Sequence, residues 1–428
     1  MNNIDAAASD TDDQPLKGSP VPSNCSTFNN ASDSLLERFQ LLDKILSSHR
    51  RYWQLRPFSM LDLPWRHSNP ELCHWLEDQP LQTLESNDQQ LQELITCLSP
   101  FIEGIEQFHE LCLLPQNTFQ QQDLPAWLGN HIPGRKWQQI QAFEQITARP
   151  QLPVLEWCAG KGHLGRLISF QRQVAVQSLE LNTQLCSHGQ SLADKRHLPI
   201  KFVNQDALAA EAASYLGKNQ HAVALHACGD LHLQLIKLAS QKGTQNISVS
   251  PCCYHLIQED RYAPLSAAAQ LSNLRLDHHD LRLPLQETVT APKRTEQMKQ
   301  QEVSWRLGFD LLQRNLRNCN QYLNTPSLPK HLLKGCFRDY CHWIGEKKAL
   351  EIPDNTDFSY YQQAGYDRYP LIRKIERVRH LYRRPLELWL VLDRALYLQQ
   401  QGYQVSISEF CQRHLTPRNV LIEATARF

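Results

Sequence analysis

The strongest chemical signal in the sequence is a glycine-rich turn over 155–165, which reads Leu-Glu-Trp-Cys-Ala-Gly-Lys-Gly-His-Leu-Gly. A short apolar run precedes the turn and a helical pattern follows it, so we expect it to join a strand to a helix. Gly160 and Gly162 carry no side chain that would keep a ligand from the backbone, and the following helix begins with unpaired N–H groups. The turn therefore predicts a site for a nucleotide-like ligand. The alternative is a tight turn without a ligand.

Acidic residues stand at the ends of three successive predicted strands. Glu156 ends the first, Glu180 the second and Asp206 the third. An acid about 20 residues after the glycine turn is placed to accept hydrogen bonds from ribose hydroxyls, which favours Glu180 as a ligand contact. Asp206 is interpreted equally well as a helix cap.

Two cofactor classes fit the turn. The spacing Gly160-x-Gly162-x-x-Gly165 satisfies the dinucleotide pattern, which leaves a nicotinamide-dependent oxidoreductase open. Glu156 disfavours that interpretation, because an acid at the strand end suits a cofactor with a cationic amino-acid group better than a pyrophosphate.

The spacing Glu156-x-Cys158-x-Gly160-x-Gly162 resembles the acid-x-Gly-x-Gly-x-Gly motif of class I methyltransferases, with Cys158 in place of the first glycine. This resemblance implies S-adenosyl-L-methionine as the cofactor. It also implies that Asp206 meets the adenine amino group. The predicted cofactor-binding residues are Glu156, Cys158, Gly160, Gly162, Glu180 and Asp206.

The fourth and fifth predicted strands end in segments rich in cysteine and histidine, 225–230 and 249–255. Ligands of open parallel sheets lie beyond the carboxyl ends of the strands, so both segments should face the reacting group. His255, His226 and Asp230 are candidate bases, and His255 is preferred. Ser250-Pro251-x-x-Tyr254 resembles the Asn/Asp/Ser-Pro-Pro-aromatic motif of amino-group methyltransferases, which implies that Ser250 and Tyr254 contact the methyl acceptor.

These segments together resemble a subset of class I methyltransferases with Leu-His-x-Cys-Gly and Cys-Cys-Tyr/His sequences. The subset includes transfer-RNA ribose methyltransferases with Cys-Cys-His sequences and the methyltransferase domain of the glutathione-S-transferase C-terminal-domain-containing protein. The segments at 133–140 and 416–422 extend the resemblance on either side.

Several cysteines and histidines are expected near one cleft, and thiolates and imidazoles suit zinc. No pair of them shows the two-residue gap of a zinc knuckle, so we predict no metal site. Pro251-Cys252 also leaves a covalent cysteine nucleophile open. The preferred interpretation is that these side chains form a pocket wall. They are Cys158, His226, Cys228, Cys252, Cys253 and His255.

The elements that must position these residues predict an α/β fold. Strands and helices alternate from Pro153, which specifies a parallel, Rossmann-like class I methyltransferase sheet with an N-terminal helical domain and a helical insertion near the C-terminus. We predict a disordered tail over 1–30 and a helical domain over 31–148, with a small core anchored by Trp53, Trp65, Trp75 and Trp127. The cofactor-binding core follows over 149–285, then a helical insertion over 286–410 and a return strand within 411–428.

The 428 residues carry 44 basic and 44 acidic side chains, so bulk charge indicates no particular partner. The polar, acidic N-terminus resembles no signal peptide and no segment is long enough to span a membrane, so we expect a cytoplasmic protein. A local basic stretch could bind RNA, with a solvated helix face as the alternative. Its members are Arg373, Lys374, Arg377, Arg379, Arg383 and Arg384.

The sequence thus predicts a methyltransferase that acts on RNA. Acceptors of protein or small-molecule type and an inactive, cofactor-binding regulatory protein remain alternatives. The sequence does not specify the oligomeric state or the acceptor atom.

Overall fold

The computed structural model describes residues 31–85, 90–148, 150–287, 293–326, 328–329 and 331–427. The predicted disordered tail, 1–30, lies outside these ranges. Within them, no helix combines the length and the apolar character needed to cross a membrane.

The described residues form one seven-stranded sheet with the order β3-β2-β1-β4-β5-β7-β6. Its strands β1 to β7 are Val154–Trp157, Val176–Glu180, Ile200–Asn204, His221–Cys228, Asn246–Cys252, Tyr403–Glu409 and Val420–Ala426. The first five are parallel, whereas β7 runs antiparallel to both β5 and β6. The predicted α/β, Rossmann-like fold is confirmed. Insertion of β7 between β5 and β6 distinguishes this order from the six-stranded dinucleotide-binding order, 3-2-1-4-5-6.

Among the described residues, eight α-helices precede the sheet, as the helical pattern of this region predicts. They are α1 Ala31–Ser48, α2 Arg50–Trp53, α3 Pro70–Glu77, α4 Leu81–Glu85, α5 Leu91–Leu98, α6 Phe108–Leu111, α7 Ala126–Gly129 and α8 Gly134–Ile146. As predicted, the helical run that begins at Leu91 stops before Pro100, because proline in a helix interior removes a backbone donor and clashes with the preceding turn.

Eight more helices lie within and beyond the parallel strands. They are α9 His163–Arg172, α10 Thr183–Asp194, α11 Asp230–Gln241, α12 Ala267–Gln270, α13 Lys293–Leu316, α14 Phe337–Lys348, α15 Phe358–His380 and α16 Arg383–Gln400. The helical spacing of apolar residues over 371–400 belongs to two helices, because the chain turns at Leu381 and Tyr382.

The N-terminal helices share a hydrophobic core with one face of the sheet. Phe39 and Leu42 of α1 pack in the same cluster as Trp389 of α16 and Leu155 of β1. Of the tryptophans predicted to anchor a separate helical core, Trp53 and Trp65 are buried in this cluster and Trp75 packs against it. Trp127 packs instead with the cluster on the opposite face of the sheet. The helical region 31–148 therefore packs on both faces of the sheet, with most of its helices on one face, and is not a bundle with a core of its own.

The segment predicted as a helical insertion, 286–410, contains two kinds of structure. Helices α13 to α15 hold a small core around Trp305 and Phe337 that belongs to neither face of the sheet. Helix α16 is buried against the sheet, and β6 is the edge strand of that sheet. The insertion therefore ends before α16. Sequence reasoning missed β6 because its seven residues follow directly on a long helical pattern.

Candidate functional site

The loop between β1 and α9 adopts the left-handed backbone conformation three times. Cys158, Gly160 and Gly162 have φ angles of 58°, 59° and 63°. A Cβ built on Gly160 would meet no atom within 4 Å, so this glycine faces open space, whereas a Cβ on Gly162 would overlap the Phe202 ring. Cys158 adopts the conformation that the first glycine of the motif would provide. The loop thus has an open, ligand-accessible side at Gly160 and a packed side at Gly162.

Glu156 lies beneath this loop and is only 4% exposed. Its Oε2 accepts a hydrogen bond of 2.8 Å from the Ser178 hydroxyl, and the backbone N–H of Gly165 also donates to the carboxyl group. Burial raises the pKa of Glu156 to about 7, against the opposing effect of these two donors. This carboxyl group therefore holds the loop to β2 and α9, and its role in cofactor binding would be to position the loop.

Glu180 and Asp206 stand at the same edge of the sheet, after β2 and β3. Glu180 Oε2 accepts a hydrogen bond of 2.8 Å from the Gly160 N–H, and its Oε1 accepts one of 2.9 Å from Asn182. The exposed Asp206 accepts a bond of 2.9 Å from the Leu208 N–H, so it caps its own turn. Glu180 therefore lies at the open side of the glycine loop, and the charge of Asp206 is near enough to the loop to raise the pKa of Cys158.

His226 lies at the end of β4, across the switch point between β1 and β4 where the strand order reverses. Its Nε2 lies 3.0 Å from Gln139 Oε1 of α8. Because an amide oxygen only accepts, Nε2 donates and the lone pair is on Nδ1. Burial, reinforced by the charge of Lys136, lowers the pKa of His226 to about 4. The ring is therefore neutral near pH 7. Sequence reasoning noted the segment around Gln139 but missed its role as partner of this histidine.

The structure corrects the predicted roles of Ser250 and Tyr254. Ser250 is fully buried, and its hydroxyl lies 3.5 Å from the Arg418 carbonyl. Tyr254 is 1% exposed, and its hydroxyl donates to Glu387 of α16 at 3.4 Å. Ser250 within β5 and Tyr254 just after it both point into the protein interior, so neither side chain is exposed to a methyl acceptor in the cleft.

His255 remains a candidate base, whereas Asp230 stabilises the chain segment that follows β5. The half-buried His255 has an Nδ1 atom without a hydrogen-bond partner among the described residues. Burial and, next, the charge of Arg282 lower its pKa, which keeps the ring neutral near pH 7. Asp230 accepts a hydrogen bond of 2.7 Å from the Gln258 N–H and so holds the segment after β5.

Three of the predicted pocket cysteines meet at one point. The Sγ atoms of Cys228, Cys252 and Cys253 all lie within 4.8 Å of one another. Cys252 is only 4% exposed, and the hydrogen bond with Cys228 together with burial raises the pKa of its thiol. These properties disfavour Cys252 as a covalent nucleophile, which needs an accessible thiolate. Cys158 is disfavoured likewise, because burial raises the pKa of its thiol to about 12.

Most side chains of the basic stretch predicted to bind RNA form hydrogen bonds or ion pairs within this chain. Arg379 is 1% exposed and donates to the Trp53 carbonyl, and Arg377 donates to that of Thr83. Arg384 is buried between two carboxylates, Glu387 and Glu409. The remaining members are also engaged: Arg383 is buried, Arg373 pairs with Glu376, and Lys374 lies 3.5 Å from the Glu77 carbonyl. These side chains hold α15 and α16 in place and do not present a basic surface to RNA.

Comparison with known families agrees with this geometry. Residues 135–260 match a family model described as a methyltransferase domain. This part of the chain is therefore similar to methyltransferase domains. The matched range includes the glycine loop, both flanking carboxylates and the cysteine-rich ends of β4 and β5. The match indicates S-adenosylmethionine as the cofactor. The loop can accommodate this molecule, since it leaves open space at Gly160 and the Glu180 carboxylate lies beside it.

Solved methyltransferase structures resemble parts of the chain. Precorrin-6y C5,15-methyltransferase from Geobacter metallireducens is 13% identical, with a TM-score of 0.24 over 28% of this chain and 64% of that one. A SAM-dependent methyltransferase from Thiobacillus denitrificans in complex with S-adenosyl-L-homocysteine is 17% identical, with a TM-score of 0.22 over 30% and 56%. Magnesium protoporphyrin IX methyltransferase from Synechocystis with bound SAH is 13% identical, with a TM-score of 0.24 over 39% and 76%. The chain thus spans less than two thirds of the first two proteins.

Proposed function

We propose that this chain is an S-adenosylmethionine-dependent methyltransferase whose methyl acceptor is RNA. The observation that carries the first part is the bond between Glu180 and the Gly160 N–H, at a glycine with open space before it. It places a carboxylate beside a backbone that a ligand can approach, at the switch point where open α/β sheets bind ligands.

Different residues of the cleft would bind different parts of the cofactor. When bound, S-adenosylmethionine supplies a methyl group that its sulfonium already activates. Glu180 would accept hydrogen bonds from the ribose hydroxyls, and Asp206 would accept one from the adenine amino group. Glu156 would keep the loop in its binding shape through Ser178 and Gly165. The chain then has to orient the acceptor and remove its proton.

Two neutral histidines are available for the proton. His226 has its lone pair on Nδ1 because its Nε2 donates to Gln139. His255 follows β5, beside the thiol cluster. Because burial lowers the pKa of each ring, both are uncharged at neutral pH and each keeps one nitrogen lone pair for a proton. We keep His255 as the preferred base, since it lies on the segment that follows the strand next to the switch point.

An exposed basic rim supports an anionic acceptor such as RNA. Arg135 and Lys136 are exposed at the start of α8, one turn before Gln139, the partner of His226. The charge of Lys136 contributes to lowering the pKa of both His226 and His163. Guanidinium and ammonium groups at this rim could hold phosphates while a base or ribose enters the cleft.

The first experiment is calorimetric titration of the full chain with S-adenosylhomocysteine and, separately, with NADH. We expect saturable binding of the former only, weakened at least tenfold by Glu180→Ala and also weakened by Glu156→Ala. Glu211→Gln, an exposed carboxylate outside the cleft, serves as the matched control and should bind normally. Folded protein that fails to bind S-adenosylhomocysteine would refute the cofactor assignment.

The second experiment identifies the acceptor. The protein is incubated with methyl-labelled cofactor and with cellular RNA, protein and small-molecule fractions, and label is expected in RNA. Arg135→Glu with Lys136→Glu should lower RNA labelling at least tenfold and leave S-adenosylhomocysteine affinity unchanged. Lys347→Glu with Lys348→Glu, on the distant α14, is the charge-matched control. Label only in protein or small molecules would overturn the RNA assignment but not the cofactor assignment, and no label with any fraction would favour a binding protein without activity.

A further inference from the structure

The thiol cluster at the ends of β4 and β5 has the geometry of a metal site. Cys228 Sγ lies 3.4 Å from Cys252 Sγ, and the third thiol, Cys253, lies within 4.8 Å of both. Three sulfur ligands on one Zn²⁺ ion, each roughly 2.3 Å from it in tetrahedral geometry, would be separated by roughly 3.8 Å. The thiols are therefore close enough to ligate one ion after small side-chain rotations.

The backbone is shaped to bring these thiols together. Gly229, directly after Cys228, has a φ of 53° and donates its N–H to the Cys252 carbonyl at 3.2 Å. A Cβ at Gly229 would overlap the Leu256 carbonyl, so only glycine lets the two strand ends approach this closely. Cys253 itself is in the left-handed conformation, with a φ of 46°. Such backbone strain around a cluster of ligating side chains is typical of functional sites.

We propose that Cys228, Cys252 and Cys253 bind a Zn²⁺ ion through their three Sγ atoms, with the fourth position left for a water molecule or a substrate atom. Each ligating thiol loses its proton to solvent on binding. Among the described residues, no other His, Cys, Asp or Glu has a ligand atom within the same distance of all three sulfurs. Sites with three protein ligands and one open position are typical of catalytic, not structural, zinc.

The spacing of these ligands along the chain differs from that of a zinc knuckle. Spacing along the chain argued against a zinc site because no pair has the two-residue gap of a knuckle. The ligands come instead from two neighbouring strand ends, 24 residues apart at Cys228 and Cys252. The proposal is independent of which molecule accepts the methyl group.

The test measures zinc and cobalt binding by the full-length, reduced chain. We expect one zinc per chain by elemental analysis, and intense thiolate-to-metal charge-transfer absorption when Co²⁺ replaces it. Cys253→Ser, a half-buried position, should lower zinc affinity at least 100-fold in competition with a chromophoric chelator. Cys411→Ser, a buried cysteine outside the cluster, should bind zinc normally. Circular dichroism of each variant establishes that it is folded.

Three results would overturn the proposal. One is a reduced, folded wild-type chain that binds no zinc. Another is a Cys253→Ser variant with unchanged zinc affinity. The third is a chain that does not bind zinc but forms a Cys228–Cys252 disulfide on mild oxidation. That result would show that the two thiols are a redox pair. The cobalt spectrum of the wild-type chain reports thiolate ligation directly, so the test does not depend on whether Cys253→Ser folds.

Discussion

At the scale of single residues, two glycines of the same loop meet different surroundings. Gly160 faces open space and Gly162 faces the Phe202 ring, although both have positive φ angles. Alanine at Gly160 would place a methyl group where the ligand approaches, whereas alanine at Gly162 would collide with protein. The two substitutions should therefore separate ligand binding from folding.

We expect Gly160→Ala to weaken S-adenosylhomocysteine binding at least about tenfold, or about 1.4 kcal/mol, with a loss of stability of roughly 1 kcal/mol from the left-handed conformation. Gly162→Ala should lower the free energy of unfolding by roughly 2–4 kcal/mol, because the ring of Phe202 must move. Calorimetry and urea denaturation measure the two effects. If the two variants lose the same affinity for S-adenosylhomocysteine and the same stability, Gly160 does not face the ligand.

Glu156 gives the stability a pH dependence. Its folded pKa, about 7, exceeds the ordinary 4.5, so the folded protein retains a proton that the unfolded chain releases between these values. Stability is thus lost as pH rises through this window, by at most about 3 kcal/mol. Glu156→Gln keeps an acceptor for Ser178 and should remove this component, so that the variant unfolds at higher urea concentration than the wild type at pH 8 and at a similar one at pH 5. Parallel stability profiles for the two proteins would show that Glu156 is ionised at neutral pH.

The residue scale also shows what a sequence can and cannot specify about a site. The glycine spacing predicted a turn with accessible backbone, and the structure shows open space at Gly160, because a backbone that must stay accessible requires a residue without a side chain. That this loop binds the cofactor stays a prediction. Ser250 and Tyr254 were misjudged, because a sequence shows which residues follow a strand but not which way each side chain turns. Burial in the interior decides that, and it depends on α16, about 130 residues further along the chain.

At the scale of elements, the arginines of α15 and α16 show how a basic sequence can belong to the interior. Their guanidinium groups bind carbonyl oxygens at the ends of N-terminal elements and carboxylates of the sheet layer. Arg377 donates to Thr83 and Arg379 to Trp53, which ties α15 to the N-terminal helices. Charge spacing alone could not distinguish this network from an RNA surface, because the partners are distant in sequence.

Removal of Arg384 should therefore affect folding, not RNA binding. Arg384→Gln would leave Glu387 and Glu409 as uncompensated buried carboxylates, and we expect a loss of about 3–5 kcal/mol in the free energy of unfolding. Lys374→Gln, at a partly exposed position of α15, is the control and should change stability by less than about 1 kcal/mol. An Arg384→Gln variant that is as stable as the control but binds RNA more weakly would restore the original interpretation of this stretch.

At the scale of the whole molecule, N-terminal helices and the sheet share one hydrophobic core, and we expect them to unfold together. Sequence patterns gave the helices of this layer correctly, because amphipathic spacing is a local property. These patterns did not reveal that the apolar face of the N-terminal helices packs on α16 and the sheet. The spacing of apolar residues defines the face of a helix but not the element that covers it. The helices α13 to α15 differ in this respect, because they enclose a core around Trp305 and Phe337.

This organisation predicts how a defect in α1 spreads. Leu42 is fully buried between α1 and the sheet layer, so Leu42→Ala should lower the free energy of unfolding by about 2–5 kcal/mol. Because the core is shared, backbone amides of β4 and β5 should lose hydrogen-exchange protection together with those of α1. Phe337→Ala makes a comparable cavity in the core of the insertion and should reduce protection of α13 to α15 before that of the sheet. Loss of protection confined to α1 in the Leu42→Ala variant would mean that the N-terminal helices unfold as a separate domain, and that the cofactor site does not depend on them.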